Sequence, residues 1–180
     1  TRGPQGALPS TKGLSQFIAD CECFFYGRPI TYIDVGAYHG DVFRRLCESE
    51  VNVRDAHLIE PNPRSFLSLQ KNVSGMDNAT CHNIALSSTA GDLKGHANRT
   101  MTQIVPSDDP AADVSCFVTR STTLDDLSKS WRIPHIHLLK VDVEGHEAQV
   151  LEGARTLLSN SSIDIVYLEA GLDPLSRQHC

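Results

Sequence analysis

A chain of 180 residues with 40% apolar and 21% charged residues is long enough to bury one core and has the composition of a globular protein rather than a fibrous or disordered one. Its net charge is −6 and it has no lysine or arginine run, which argues against nucleic acid as the main partner. No apolar run nears the roughly 20 residues of a membrane span, and no signal peptide is visible in Thr1–Lys12, so a cytoplasmic location is favoured.

Asn72-Val73-Ser74, Asn78-Ala79-Thr80, Asn98-Arg99-Thr100 and Asn160-Ser161-Ser162 are glycosylation sequons, and they keep a secretory-pathway location open. The first residue is Thr, which is compatible with a trimmed leader. Of the cysteines, Cys21 and Cys23 form a C-x-C pair, whereas Cys47, Cys81, Cys116 and Cys180 are scattered. Without a second close pair they read as free thiols, and no metal site is expected.

In chain order, residues 1–12 read as a leader. Leu14, Phe17, Ile18, Cys21 and Phe25 recur at helical spacing as far as Gly27, which makes 1–28 a leader plus helix and 29–180 the main domain. Thr31–Val35 is a short apolar strand. Asp41 opens a helix with Val42, Phe43, Leu46 and Cys47 on one face. Ala56–Glu60 is a second strand, Pro63 can start a helix marked by Phe66, Leu67, Leu69 and Val73, and Ala79–Leu86 reads as a third strand.

Residues 92–121 are irregular, with strands expected at Lys94–Val105 and Val114–Arg120 around a Pro106–Asp113 loop. Thr122 or Thr123 caps a short helix through Trp131. Ile136–Val143 has the apolar run of a central strand buried on both faces. A helical stripe of Val150, Leu151, Ala154, Leu157 and Leu158 follows, then a fifth strand at Ile163–Leu168. His57, His82, His135 and His137 lie in or beside strands and read as structural. The alternation predicts an α/β, doubly wound, mostly parallel sheet.

Ligands of such sheets bind at the carboxyl ends of the strands. There the sequence places Asp34, Gly36, Ala37 and Gly40, then Glu60 and Asn62, then Asn83, Ile84 and Ala85. Glu60 lies roughly 20 residues beyond the glycine turn, a spacing that suits a carboxylate accepting from ribose hydroxyls. Both NAD and S-adenosylmethionine carry that ribose. The turn lacks the middle glycine of a dinucleotide site, and Asp34 suits a cationic ligand better than a pyrophosphate, so S-adenosylmethionine is favoured over NAD. A glycine turn with no ligand is the plain alternative.

After the fourth strand, Asp142, Glu144, His146 and Glu147 crowd the same cleft. Glu144 and Glu147 can simply stabilise a helix N-terminus. Asp142, Glu144 and His146 are the candidates for orienting an acceptor or taking its proton. The carboxylates alone make a weak case for Mg2+ or Ca2+.

The ordered set Ile33-Asp34-Val35-Gly36-Ala37-x-x-Gly40, Leu58-Ile59-Glu60-Pro61-Asn62-Pro63, Asn83-Ile84-Ala85-Leu86, Thr123-Leu124-Asp125 and Leu139-Lys140-Val141-Asp142-Val143-Glu144-Gly145-x-Glu147 resembles the FkbM family of methyltransferases, from about residue 30 to about residue 170. Val150-Leu151-x-Gly153-Ala154 and a strand ending in Glu169 extend the match. The resemblance implies a Rossmann-like class I methyltransferase fold, S-adenosyl-L-methionine as cofactor, and methyl transfer, usually to a hydroxyl of a small molecule or glycan. It implies that Asp34, Gly36 and Gly40 hold the methionine end, Glu60 the ribose, and Asn83-Ile84-Ala85 the border of the adenine. Asp142 and Glu144 would face the transferred methyl or the acceptor.

A complete fold of this class continues with a helix and two more strands, whereas this sequence stops at Cys180. The C-terminal strands are therefore expected to be missing, and part of the acceptor pocket with them. That shortfall keeps a second reading in play, a non-catalytic subunit that retains the methyltransferase fold. A nicotinamide-dependent oxidoreductase is disfavoured by the glycine pattern.

Overall fold

The computed structural model describes residues 11–98, 101–105 and 116–169. Residues 1–10 of the leader, the whole Pro106–Asp113 loop and Cys180 lie outside these. Helix α1 (Thr11–Phe24) precedes β1 (Ile30–Val35), α2 (Asp41–Cys47), β2 (Val53–Ile59), α3 (Pro63–Asn72) and β3 (Ala79–His82). Then come β4 (Ala85–Leu86), β5 (Gly91–Asn98), β6 (Met101–Val105) and β7 (Cys116–Thr122). The chain goes on through α4 (Leu124–Trp131), β8 (Ile136–Val141), α5 (Glu147–Glu152), α6 (Arg155–Ser159) and β9 (Ile163–Leu168).

The main sheet has the order β3-β2-β1-β8-β9, and every pairing in it is parallel. Its central strands β1 and β8 are buried on both faces, which explains their mostly apolar sequence, whereas the outer strands β3 and β9 are only half-buried. Successive β1 side chains alternate between two cores. Tyr32 joins Phe17, Phe25, Phe43, Leu69 and Leu138 on the side of α1, α2 and α3. Ile33 and Val35 join Leu124, Leu139, Val150 and Leu157 on the side of α4, α5 and α6. The result is the three-layer α/β arrangement that the sequence predicts.

A second sheet, β4-β7-β5-β6, is built from the stretch that looked least regular. There β5 pairs antiparallel with β6 and β7, and β4 pairs parallel with β7. The expected third strand therefore splits. The Asn83 amide donates to the carbonyls of Glu60 (2.8 Å) and Pro61 (3.1 Å), which turns the chain after His82. Ala85 and Leu86 then pair with Ser121 and Thr122 in the other sheet.

The long helix expected after Gly145 is also two helices. The carboxylate of Asp125 accepts from the backbone N–H groups of Thr156 (2.9 Å) and Leu157 (3.0 Å), so a fresh helix start is satisfied there. Thr123 caps α4 in the same way, accepting from Asp126 N–H at 3.1 Å. Pro63 opens α3 as expected, with Asn62 as its cap. Leu67, placed on that helix's apolar face by its spacing, is instead 67% exposed.

The four strand histidines form two groups. His57 and His82 stack with Trp131 at centroid distances of 4.5 and 4.0 Å, and their Nδ1 and Nε2 atoms lie 3.0 Å apart. Burial lowers both imidazoles, His82 to about 4, which keeps the stack neutral near pH 7. At the opposite end of the sheet from the strand carboxyl ends, His135, His137 and Asp164 are close enough to share an ion. However, His137 Nδ1 accepts the N–H of Thr31 at 3.0 Å, so its Nε2 carries the proton and is no metal donor. His135 and Arg28 pair instead with the Asp164 carboxylate, at 2.8 and 3.4 Å.

Cys21, Cys23, Cys47, Cys81 and Cys116 are all free thiols, and Cys23 is exposed. Of the sequon asparagines, Asn78 is half-buried and donates to Val53 O at 2.7 Å, and Asn72 donates to His39 O at 2.9 Å. Asn160 is exposed, and the Asn98 sequon runs into residues outside those described.

Candidate active site

In the order β3-β2-β1-β8-β9 the chain moves outward from β1 to β3 and then returns beside β1 as β8. The reversal opens a crevice between the carboxyl ends of β1 and β8. There Asp142 N–H donates to Val35 O at 2.9 Å, one rung beyond the end of β8. A Cβ on Gly36 would lie 1.8 Å from the Asp142 carbonyl oxygen, and its φ is +82°. Only glycine lets the two loops meet this closely.

The N–H groups of Gly36 and Ala37 both reach Ile59 O at 3.0 Å. The loop then turns through Tyr38, whose φ of 49° is a left-handed value that a non-glycine residue holds at a cost. Gly40, at φ 82°, caps α2. This strand–turn–helix unit is the one the sequence predicts.

Glu60 is 2% exposed. Its Oε2 accepts the Tyr38 N–H at 2.9 Å and its Oε1 the Asn62 N–H at 2.8 Å. Burial pushes its carboxyl up to about 7, against the pull of those two N–H groups. Each oxygen keeps a lone pair for a further donor. Asn62, by contrast, is a helix cap: its Oδ1 accepts from Arg64 N–H at 3.0 Å. Asn83 ties β2 to the start of the second sheet through its amide, while Ile84 is half-buried and Ala85 is buried.

Asp34 lies on the α1–α2 face of β1 and is fully buried. No hydrogen bond of good geometry reaches either of its oxygens. Its charge is met by Lys140 Nζ, 3.3 Å from Oδ1. The same ammonium donates to Asp142 Oδ2 at 3.1 Å. Asp142 is partly open, with 28% of its side chain exposed. Burial raises the carboxyls of Glu144 and Glu169, and in both the charge of Asp142 adds to the effect.

Glu144 is held at φ 52°, a second strained non-glycine position beside the cleft. Glu147 is engaged locally, its Oε1 accepting from Gly145 N–H at 3.0 Å and Val143 N–H at 3.3 Å. His146 Nε2 lies 3.0 Å from the hydroxyl of buried Ser87. Burial lowers the His146 imidazole, leaving it neutral and able to take a proton near pH 7.

The structure thus gathers Asp142, Glu144 and His146 on one loop beside the glycine turn, with Glu60 at the next strand end. Sequence reasoning missed Ser87 and the role of Lys140. A lysine between Leu139 and Val141 in a strand with the apolar run of a buried one was the available signal for Lys140, since such a charge needs a partner. Ser87 had none, because its strand reached the site only through the break at Asn83.

The parallel sheet, with its crevice at the carboxyl ends of β1 and β8, defines a Rossmann-like α/β fold. A family model described as "Methyltransferase FkbM domain" matches residues 34–179, and the chain belongs to that family. It is 30% identical over 147 residues to the hexuronic acid methyltransferase AglP of Haloferax volcanii, an alignment covering 78% of this chain and 56% of that protein. The chain therefore spans little more than half the length of that relative. The crystal structure of methyltransferase FkbM from Methylobacillus flagellatus shares the fold, with a TM-score of 0.51, at 18% identity and over 73% of this chain and 30% of that one.

Proposed function

We propose that the crevice between β1 and β8 binds S-adenosyl-L-methionine, and that the chain directs its methyl group to an oxygen of a sugar or other small hydroxylated acceptor. The observation that carries this reading is Glu60: a buried carboxylate at the end of β2, fixed by two backbone N–H groups and keeping acceptor capacity on both oxygens. That is what a pair of ribose hydroxyls requires. In this reading Gly36, Ala37 and Gly40 let backbone approach the methionine end, and Ile84 and Ala85 border the adenine.

When bound, the donor supplies an electrophilic methyl on a good leaving group, so the protein's task is alignment, exclusion of water and removal of the acceptor proton. His146, neutral and held by Ser87 at Nε2, takes that proton at Nδ1. Asp142 and Glu144 accept hydrogen bonds from acceptor hydroxyls and fix their direction. A glycan acceptor is favoured by the relative named for a hexuronic acid.

Calorimetric titration with S-adenosylmethionine, followed by a labelled-methyl screen over neutral sugars and uronic acids, tests the reading. Binding in the micromolar range and label on a sugar oxygen are expected. Absence of binding at millimolar donor would sink it.

A further inference from the structure

We propose that Lys140 is a positioning residue, and that fully buried Asp34 acts through it to fix the Asp142 carboxylate at the cleft instead of touching the methyl donor itself. This rests on the reading of the crevice as a methyl-donor site. Asp34 and Lys140 are register partners on adjacent parallel strands, so both side chains project from the same face of the sheet. That face is the one packed under α1, α2 and α3, shared with Tyr32 and Leu138. Asp34 is 0% exposed and Lys140 3%.

A donor ammonium seeking Asp34 would have to displace the Lys140 ammonium that already stands 3.3 Å away. Asp142 is reached by the same Nζ, at 3.1 Å, and it alone of the three opens towards solvent. The charges therefore alternate from core to cleft: carboxylate, ammonium, carboxylate. A lysine buried in a central strand must keep such partners. Here the requirement is turned outward, because the only end of the series that a ligand can meet is Asp142.

The series also explains why Asp142 rather than Glu144 or Glu169 is the carboxylate held ready for an acceptor. It holds the Lys140 ammonium directly on Oδ2, whereas at the other two the like charge of Asp142 outweighs the pull of the same ammonium.

Two measurements decide the matter. Calorimetry with S-adenosylhomocysteine should give Asp34→Asn a Kd less than tenfold weaker than the unaltered chain. A loss of tenfold or more means that Asp34 holds the donor directly and overturns the proposal. Carboxyl-carbon NMR relaxation should show the Asp142 side chain ordered in the unaltered chain and mobile on the nanosecond timescale in the double variant Asp34→Asn, Lys140→Met, in which the buried charges are removed together. Unchanged order at Asp142 overturns the proposal, since a purely structural lysine would not set it. If the unaltered chain binds no S-adenosylhomocysteine, the donor reading fails, and the NMR relaxation still decides the role of Lys140.

Discussion

Replacing Lys140 by methionine removes one ammonium and leaves two carboxylates facing each other across the gap. At an effective dielectric of 20, the contacts at 3.3 and 3.1 Å are each worth about 5 kcal/mol of Coulomb attraction. Burying the ammonium cancels several kcal/mol of this, and breaking a buried pair by losing one partner costs about 3–5 kcal/mol net. Whole domains are stable by only about 5–15 kcal/mol, so Lys140→Met should be barely folded at pH 7. Urea unfolding at pH 7 measures this as a fall in the midpoint at constant slope.

Adding Asp34→Asn should recover more than half of the loss, because the buried charge left unpaired is then gone. In the single variant Asp34 is left a buried carboxylate without a cation, the costly half of a broken pair. A loss below about 1 kcal/mol, or a double variant no more stable than the single one, would refute the argument.

Three further outcomes follow from the site. Burial pushes Glu60 up to about 7, and its protonated form cannot accept from two ribose hydroxyls, so donor Kd should rise about fivefold from pH 7 to pH 6; calorimetry should show a flat profile for Glu60→Gln. Gly36→Ala forces a Cβ to within 1.8 Å of Asp142 O at positive φ, so thermal unfolding should report a loss above about 3 kcal/mol, and an unchanged midpoint would contradict the close approach. Ser87→Ala should leave donor binding alone and cut turnover of the best screened acceptor about tenfold, with the acid limb of the pH profile displaced; unaltered turnover would remove His146 from the proton path.

The parallel sheet was legible because its central strands are buried on both faces and so read as apolar runs: Ile30–Val35 and Ile136–Val141 are buried almost throughout. The second sheet was not, since Cys116–Thr122 has a mixed burial pattern and its partners carry little periodicity. The break at Asn83 was invisible for a different reason. It is made by one amide reaching two carbonyls more than 20 residues back, a tertiary contact that local pattern does not encode. The divided helix at Gly153-Ala154 has the same origin in Asp125.

The motif residues of this chain divide by what they touch. Thr123, Asp125 and Asn62 spend their side chains on helix starts, and Glu147 on the loop amides of Val143 and Gly145. Their recurrence in a motif reflects orphan N–H groups that need an acceptor. Glu60 also accepts backbone N–H groups, yet it lies at a strand end, and burial holds its carboxyl far from the usual range. Lys140 and Asp34 fit neither description: they face the core, and a core lysine costs stability that an apolar residue would not. The expense is intelligible only if the far end of the series matters, and that end is Asp142, standing where β1 and β8 part.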